Sequence, residues 1–427
     1  FIRAREIQDC GDEAAAPEIF DRLARMCISR DEGMLRLVNR HLDLKDVLDV
    51  KARMIGTGLI GGKTVGMLLA RAILRQRSER MREVLERHDS FYVGSDVFYT
   101  FLVRNGIWWT RQKQRDPNTF LDDAGLARQR ILAGQFPDHI VKQFQEMLDY
   151  FGQTPIIVRS SSLLEDNFGN AFAGKYQSVF CANQGPKERR LEDFLAAVRM
   201  VYASAMSEDA LRYRERRGLL EKDEQMALLV MRVSGAQYGS NFYPQLAGVG
   251  FSFNPYAWSK EIDPKAGVIR LVFGLGTRAV DRSDDDYTRV VALNAPHRRP
   301  EANYDEVRQY SQKQVDYLDL TANQLVSGWF GNVVSSSPGL PAARFAESES
   351  VGGRNLLTLS FDRFLGETDF VSDMREMLST LESSYEFPID IEFTANFFDG
   401  DRYSINLVQC RPLPVQGTET SRLPKVD

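Results

Sequence analysis

The chain of 427 residues has no long apolar run. The longest, Met226 to Met231, is too short to cross a membrane, so no membrane partner is expected. Cysteine is scarce: Cys10, Cys27, Cys181 and Cys410 are widely spaced and form no CxxC pair. That excludes a disulfide framework and predicts reduced thiols in a cytoplasmic protein. The histidines, His41, His88, His139 and His297, show no metal-ligand spacing. Basic residues are not in excess. A net charge of −5 argues against a general nucleic-acid binder, so positive charge for any anion site must be placed locally. No signal peptide, low-complexity tract or internal repeat stands out, and the start at Phe1 rather than Met suggests a piece of a longer protein.

What is present fits a soluble enzyme. Hydrophobic residues make up 43% and charged residues 26%, in a chain long enough for several domains and a sizeable core. Residues 1–50 are expected to form a charged helical extension, with Pro17 to Met26 amphipathic at helical spacing. Residues 51–226 predict helices over 63–87 and 191–217 and a strand at 155–159. Residues 227–415 predict strands at 226–233, 247–253 and 268–273, and helices near 304–318 and 370–384. Residues 416–427 read as a tail or linker. Helices and strands mixed in this way predict an α/β (α+β) fold of two lobes with a cleft between them.

The most informative segment runs from Pro388 to Pro412 and predicts a hairpin about Asp399-Gly400. A two-residue turn there, or a four-residue loop over 398–401, sets Asp390 opposite Gln409 and Glu392 opposite Leu407. Asp390, Glu392, Gln409 and Arg411 then share one face, while Ile389, Ile391 and Phe393 point into a core. Two carboxylates and an amide oxygen can hold Mg²⁺, and an arginine can take a phosphate bidentately. A solvated outer face with an incidental ion pair would read the same way.

A second segment, Ile156 to Gly174, is a short apolar strand ending in Arg159 and the hydroxyls of Ser160, Ser161 and Ser162, followed by a loop with Gly169 and Gly174. Arginine suits phosphate, and glycines let backbone amides approach an oxyanion. The serines lack the G-x-S-x-G setting of a nucleophile elbow. Gly56 to Thr64 comes near a P-loop, but Thr57 stands where the first glycine belongs, and the preceding Asp46 to Arg53 is charged and helix-like. The P-loop is therefore rejected. Lys63 is kept as a phosphate ligand, against the plainer reading of a glycine-rich helix entry. Asp284-Asp285-Asp286 reads as an acidic solvated loop, and the aromatics from Phe91 to Trp109 read as core.

These motifs together resemble the ATP-grasp nucleotide-binding domain of the pyruvate phosphate dikinase and phosphoenolpyruvate synthase family. The matching residues are Val158-Arg159-Ser160-Ser161, Glu165-Asp166, Phe172-Ala173-Gly174, Asp390-Ile391-Glu392 and Val408-Gln409-Cys410-Arg411-Pro412, in family order. Gly61-Gly62-Lys63 and Gly274-Leu275-Gly276 with Asp286-Tyr287 add to it, so the resemblance spans roughly residues 55 to 415. It implies a two-lobed ATP-grasp fold that binds ATP and Mg²⁺. Lys63 and Arg159 would hold the β- and γ-phosphates, with Ser160, Gly169 and Gly174 nearby. Val230 and Met231 would lie beside the adenine. Glu392 and Gln409 would hold the metal, supported by Asp390, and Arg411 would stabilise the transferred group.

The sequence also departs from the family. Thr277 replaces the usual glutamate after Gly-Leu-Gly, Met231 replaces a glutamine, and Ala236 to Leu246 is an insertion. In the family, ATP first phosphorylates a histidine on a separate swivelling domain, and none of the histidines here sits in such a motif. The resemblance thus implies the ATP-binding half of an AMP-forming phosphotransferase, its phosphohistidine domain in cis or in trans and its final acceptor a compound such as pyruvate. A catalytically silent ATP-binding regulatory module is the alternative.

Overall fold

The structure is a computed structural model and describes residues 1–12, 14–165, 174–255, 257–280, 286–351, 354–398 and 402–413. The expected Asp399-Gly400 turn, the loop residues Asp166, Gly169 and Phe172-Ala173, the pair Asp284-Asp285 and the tail 416–427 lie outside these.

Helices Ile2–Cys10, Ala16–Cys27, Glu32–His41 and Leu44–Ala52 open the chain. Asp31 caps the third through Met34 N at 2.8 Å, and Asp43 with Asp46 forms a capping box on the fourth. In the second helix Phe20, Leu23, Ala24 and Cys27 recur at helical spacing and are buried. Two longer helices expected from sequence are each split. Ser78 ends Gly62–Arg77 and caps Glu79–Val84, and Ser207 caps Glu208–Arg216 after Lys187–Ser204. Each serine accepts from an amide three residues on, a bond that favours a fresh helix start over continuation.

The first sheet contains β1 (Met54–Ile55), β2 (Ser90–Val93), β3 (Ile156–Ser162), β4 (Ser178–Cys181) and β5 (Met226–Arg232), in the order β1-β2-β5-β3-β4. β5 explains the long apolar run. It lies between β2 and β3, with Leu229 and Met231 in one core and Met226, Leu228 and Val230 in the other. A lobe division at residues 226/227 would therefore cut through this sheet, because β5 pairs back onto β3 and not forward.

Next come β6 (Ala236–Tyr238), β7 (Asn241–Tyr243), β8 (Leu246–Phe251), β9 (Val268–Val272), β10 (Arg289–Ala292), β11 (Gln314–Asp319) and β12 (Gln324–Trp329). They are followed by β13 (Ala346–Val351), β14 (Arg354–Leu359), β15 (Ile389–Phe397) and β16 (Tyr403–Pro412). The second sheet is antiparallel, in the order β10-β9-β8-β15-β16. The inserted residues form β6 and β7, which join β11 and β12 in a separate sheet ordered β12-β11-β7-β6. The helix expected near 304–318 stops at Gln309, because residues 314–319 pair with both β12 and β7. Sheet pairing there overrides local helical spacing. The helix Phe370–Tyr385 packs behind β15, close to expectation.

The β15–β16 register differs from the sequence expectation. Asp390 faces Arg411 and Glu392 faces Gln409, whereas Phe393 faces Leu407. Val408 is thus a bulge, and at the far end the ladder closes on the pair Phe397–Tyr403, with Phe398 N donating to Arg402 O at 2.8 Å. The pair Phe397–Tyr403 is already one residue out of the expected register, and the bulge shifts the pairing by one more. The parity of the faces is thereby restored, and Ile389, Ile391 and Phe393 are buried as expected.

Candidate nucleotide site

The helix Gly62–Arg77 brings Lys63 to the site by running unusually close to both sheets. Gly61 has φ +83°, and a Cβ there would lie 1.5 Å from Ser161 O; a Cβ on Gly66 would lie 2.1 Å from Cys410 O. Ser161 Oγ accepts from Thr64 N at 3.1 Å and donates to Ile60 O at 2.8 Å. A strand hydroxyl thus caps this helix start where a P-loop would present its amides to phosphate, in keeping with Thr57 breaking that motif. Lys63 is left as the side chain that reaches the cleft. Its Nζ, largely buried, donates to Ser160 Oγ and to Glu165 Oε1, each at 2.8 Å. Glu165, itself 1% exposed, also accepts from Ser162 N at 2.9 Å.

Arg159, on β3, crosses to the second sheet. It donates to the Glu392 carboxylate, to Gln409 Oε1 at 3.0 Å and to the bulge carbonyl of Val408 at 3.3 Å. Arg411 Nε meets both Asp390 oxygens, at 2.8 and 2.9 Å. Burial by itself would raise the Glu392 carboxyl. Arg159, then Arg411 and Lys63, outweigh that and hold it below the usual carboxylate range.

These groups surround a cavity of about 570 Å³ between the two sheets, lined by Lys63, Arg159, Glu392, Gln409 and Arg411 at one end. Ile157, Met231, Val233 and Leu275 line an apolar stretch of the same wall, and Gly174 borders it. Several expected residues stand back from the wall. Ser160 is fully buried behind Lys63, and Asp390 is engaged by Arg411. Val230 faces the other core because alternation along β5 turns only Met231 to the cleft. Thr277 lines the cavity, and its hydroxyl donates to Asp316 Oδ2 at 2.6 Å. Asp286 pairs with Arg278 at 3.3 Å and is not a free acidic loop residue. No histidine lines the cavity.

Sequence reasoning missed Glu165 as the anchor of Lys63, because the contact joins residues far apart in the chain. It also missed that the polar face of the hairpin continues through Thr394 and Asn406, which the bulge sets opposite each other. Period-two alternation beyond Glu392 carried that signal.

Among the described residues, no group of three or more histidine, cysteine, aspartate or glutamate side chains is arranged to hold a metal ion. The donor set still suits a hard cation completed by phosphate oxygens. Glu392 and Gln409 present oxygens toward one point, and the cationic Arg159 now sits between them. No described helix is long and apolar enough to cross a membrane.

No match was found among curated proteins. The sequence profile of the family described as "Pyruvate phosphate dikinase, AMP/ATP-binding domain" matches residues 57–426. That span contains the second sheet, all of the first sheet except β1 and every cavity-lining residue named above, and the chain belongs to this family of dikinase AMP/ATP-binding domains.

Proposed function

We propose that the chain binds Mg-ATP in this cleft and passes its β- and γ-phosphates as one pyrophosphoryl group to a histidine nitrogen on another domain. The N–Pβ bond forms as the Pα–O–Pβ bridge breaks and AMP leaves, and release of the γ-phosphate to water or inorganic phosphate then leaves phosphohistidine. The observation that carries this is the convergence of Lys63, Arg159, Glu392, Gln409 and Arg411 on one cavity from two sheets and a helix. Phosphoryl transfer needs positioning and charge neutralisation more than covalent help from the protein, and this set supplies both. Mg²⁺, held by Glu392 and Gln409, would add neutralisation of the phosphate oxygens.

The chain's own residues do the rest. Arg159 leaves Glu392 and Gln409 for the triphosphate, exchanging one anionic partner for another. Lys63 turns from Glu165 to the phosphates, and Ser160 keeps the carboxylate company. Arg411, steadied by Asp390, faces the group being transferred. The apolar stretch at Met231 and Leu275 accepts the base. A silent ATP-binding regulatory module would share the binding half of this scheme and lack the transfer.

Calorimetry with ATP, with and without Mg²⁺, tests the reading. Metal-dependent heat is expected for the wild type and its loss in a Glu392→Ala, Gln409→Ala double variant. Unchanged binding in that variant would overturn the site assignment.

A further inference from the structure

On the β15–β16 face, the rung after Glu392–Gln409 is Thr394 opposite Asn406, and both residues line the nucleotide cavity. Thr394 Oγ1 is buried and has no hydrogen-bond partner. A hydroxyl removed from water and left unpaired is costly, so a native one points to a missing partner. Asn406 is fixed by Arg71, whose Nη1 donates to Asn406 Oδ1 at 3.1 Å. A guanidinium can only donate, so this bond assigns the amide oxygen to Arg71 and leaves the amide nitrogen as a donor for the cleft. The rung therefore offers a hydroxyl and an amide N–H side by side across a strand pair.

Its position narrows what it takes. Two residues along a strand advance the face by roughly 7 Å. Thr394 lies that far from Glu392, in the direction of Asn396, which bonds Ser234 at 2.7 Å beside the apolar stretch. On the nucleotide reading above, the phosphates end at Glu392 and Gln409, and the base lies toward Met231 and Val233. The sugar falls between them.

We propose that Thr394 and Asn406 bind the ribose hydroxyls of the nucleotide, and that Thr394 sets selection for a ribonucleotide over a deoxyribonucleotide. A vicinal diol can both donate and accept, which matches one hydroxyl and one N–H. The inference rests on ATP being the ligand of this cleft.

The test compares ATP, 2′-deoxy-ATP and 3′-deoxy-ATP by calorimetry on the wild type, Thr394→Val and Thr394→Ser. One neutral hydrogen bond predicts that the wild type prefers ATP over at least one deoxy analogue by roughly three- to tenfold. Thr394→Val should lose that preference by weakening ATP alone, and Thr394→Ser, which restores the hydroxyl, should keep it. If Thr394→Val weakens ATP and both analogues equally, or leaves the preference intact, the sugar assignment is overturned while ATP binding stands. If the wild type binds no ATP, both readings fall.

Discussion

At Lys63 two roles meet in one side chain. Its ammonium neutralises Glu165, which is 1% exposed, and it is also placed to meet phosphate. Removing one partner of a buried pair leaves an uncompensated charge, at a typical cost of about 3–5 kcal/mol. Lys63→Met is therefore expected to lower the melting temperature and to weaken ATP far more than AMP. Lys63→Met with Glu165→Met removes both charges, so stability should largely return while ATP affinity stays low. Thermal melts and calorimetry separate the two effects. Recovery of ATP affinity together with stability would assign Lys63 a purely structural role.

His88 carries a different residue-scale consequence. Burial, then repulsion from Arg71, Arg75 and Arg53, pushes its imidazole down from 6.5 to about 3. The unfolded chain takes up a proton near pH 6.5 that the folded chain refuses. Stability from the neutral ring is thus complete above about pH 6.5 and is lost as pH falls toward 3, at up to about 1.4 kcal/mol per pH unit. Denaturant midpoints measured between pH 7 and 5 should fall less steeply in His88→Gln than in the wild type. Equal slopes would show that the ring is protonated in the folded chain.

At the scale of elements, the β15–β16 hairpin shows what was legible in the sequence and what was not. The alternation of Ile389, Asp390, Ile391 and Glu392 gave the faces, because period two is a local property of an extended chain. The register did not follow from a turn motif, since Phe397 pairs with Tyr403 and the bulge at Val408 shifts the rest. The same limit explains β11, where tertiary pairing decided against helix, and Glu165, whose partner is remote in sequence. Val408 is the extra residue that lets Gln409 stand opposite Glu392. Deleting it would leave a regular ladder with Gln409 still opposite Glu392 and Arg411 opposite Asp390, so both side chains keep the cleft face, and the bulge carbonyl that accepts from Arg159 is lost. Metal-dependent ATP binding should therefore survive the deletion, with calorimetry as the check. Abolished binding would show that the bulge itself, and not only the face it restores, shapes the metal end of the cleft.

At the scale of the whole molecule, the two sheets are joined on more than one side of the cleft. The helix Gly62–Arg77 packs on β16, and the four opening helices share its core with β15. On another side the β11–β12 hairpin reaches the first sheet's lobe, where Asn323 accepts from Gln184 N and donates to Asp193, each at 3.0 Å. Such bracing suits a site that must hold phosphates in a fixed geometry. It does not provide an acceptor. His41 is buried against Gln76 at 3.0 Å, and His88, His139 and His297 are likewise absent from the cavity wall. On the proposed reading, phosphates bound there would meet no histidine among the described lining residues. Neutral imidazole is a better nucleophile than water near neutral pH, and in-line transfer to it needs the ring in the cleft. With Mg-ATP alone, this chain is expected to hydrolyse ATP slowly and to accumulate no acid-labile phosphate. A histidine-bearing domain supplied in trans should yield AMP and phosphohistidine together, measured by nucleotide chromatography and acid-lability of the protein-bound label. Phosphorylation of this chain's own histidines at a catalytic rate would instead mean that the fold opens far enough to bring one of them to the phosphates.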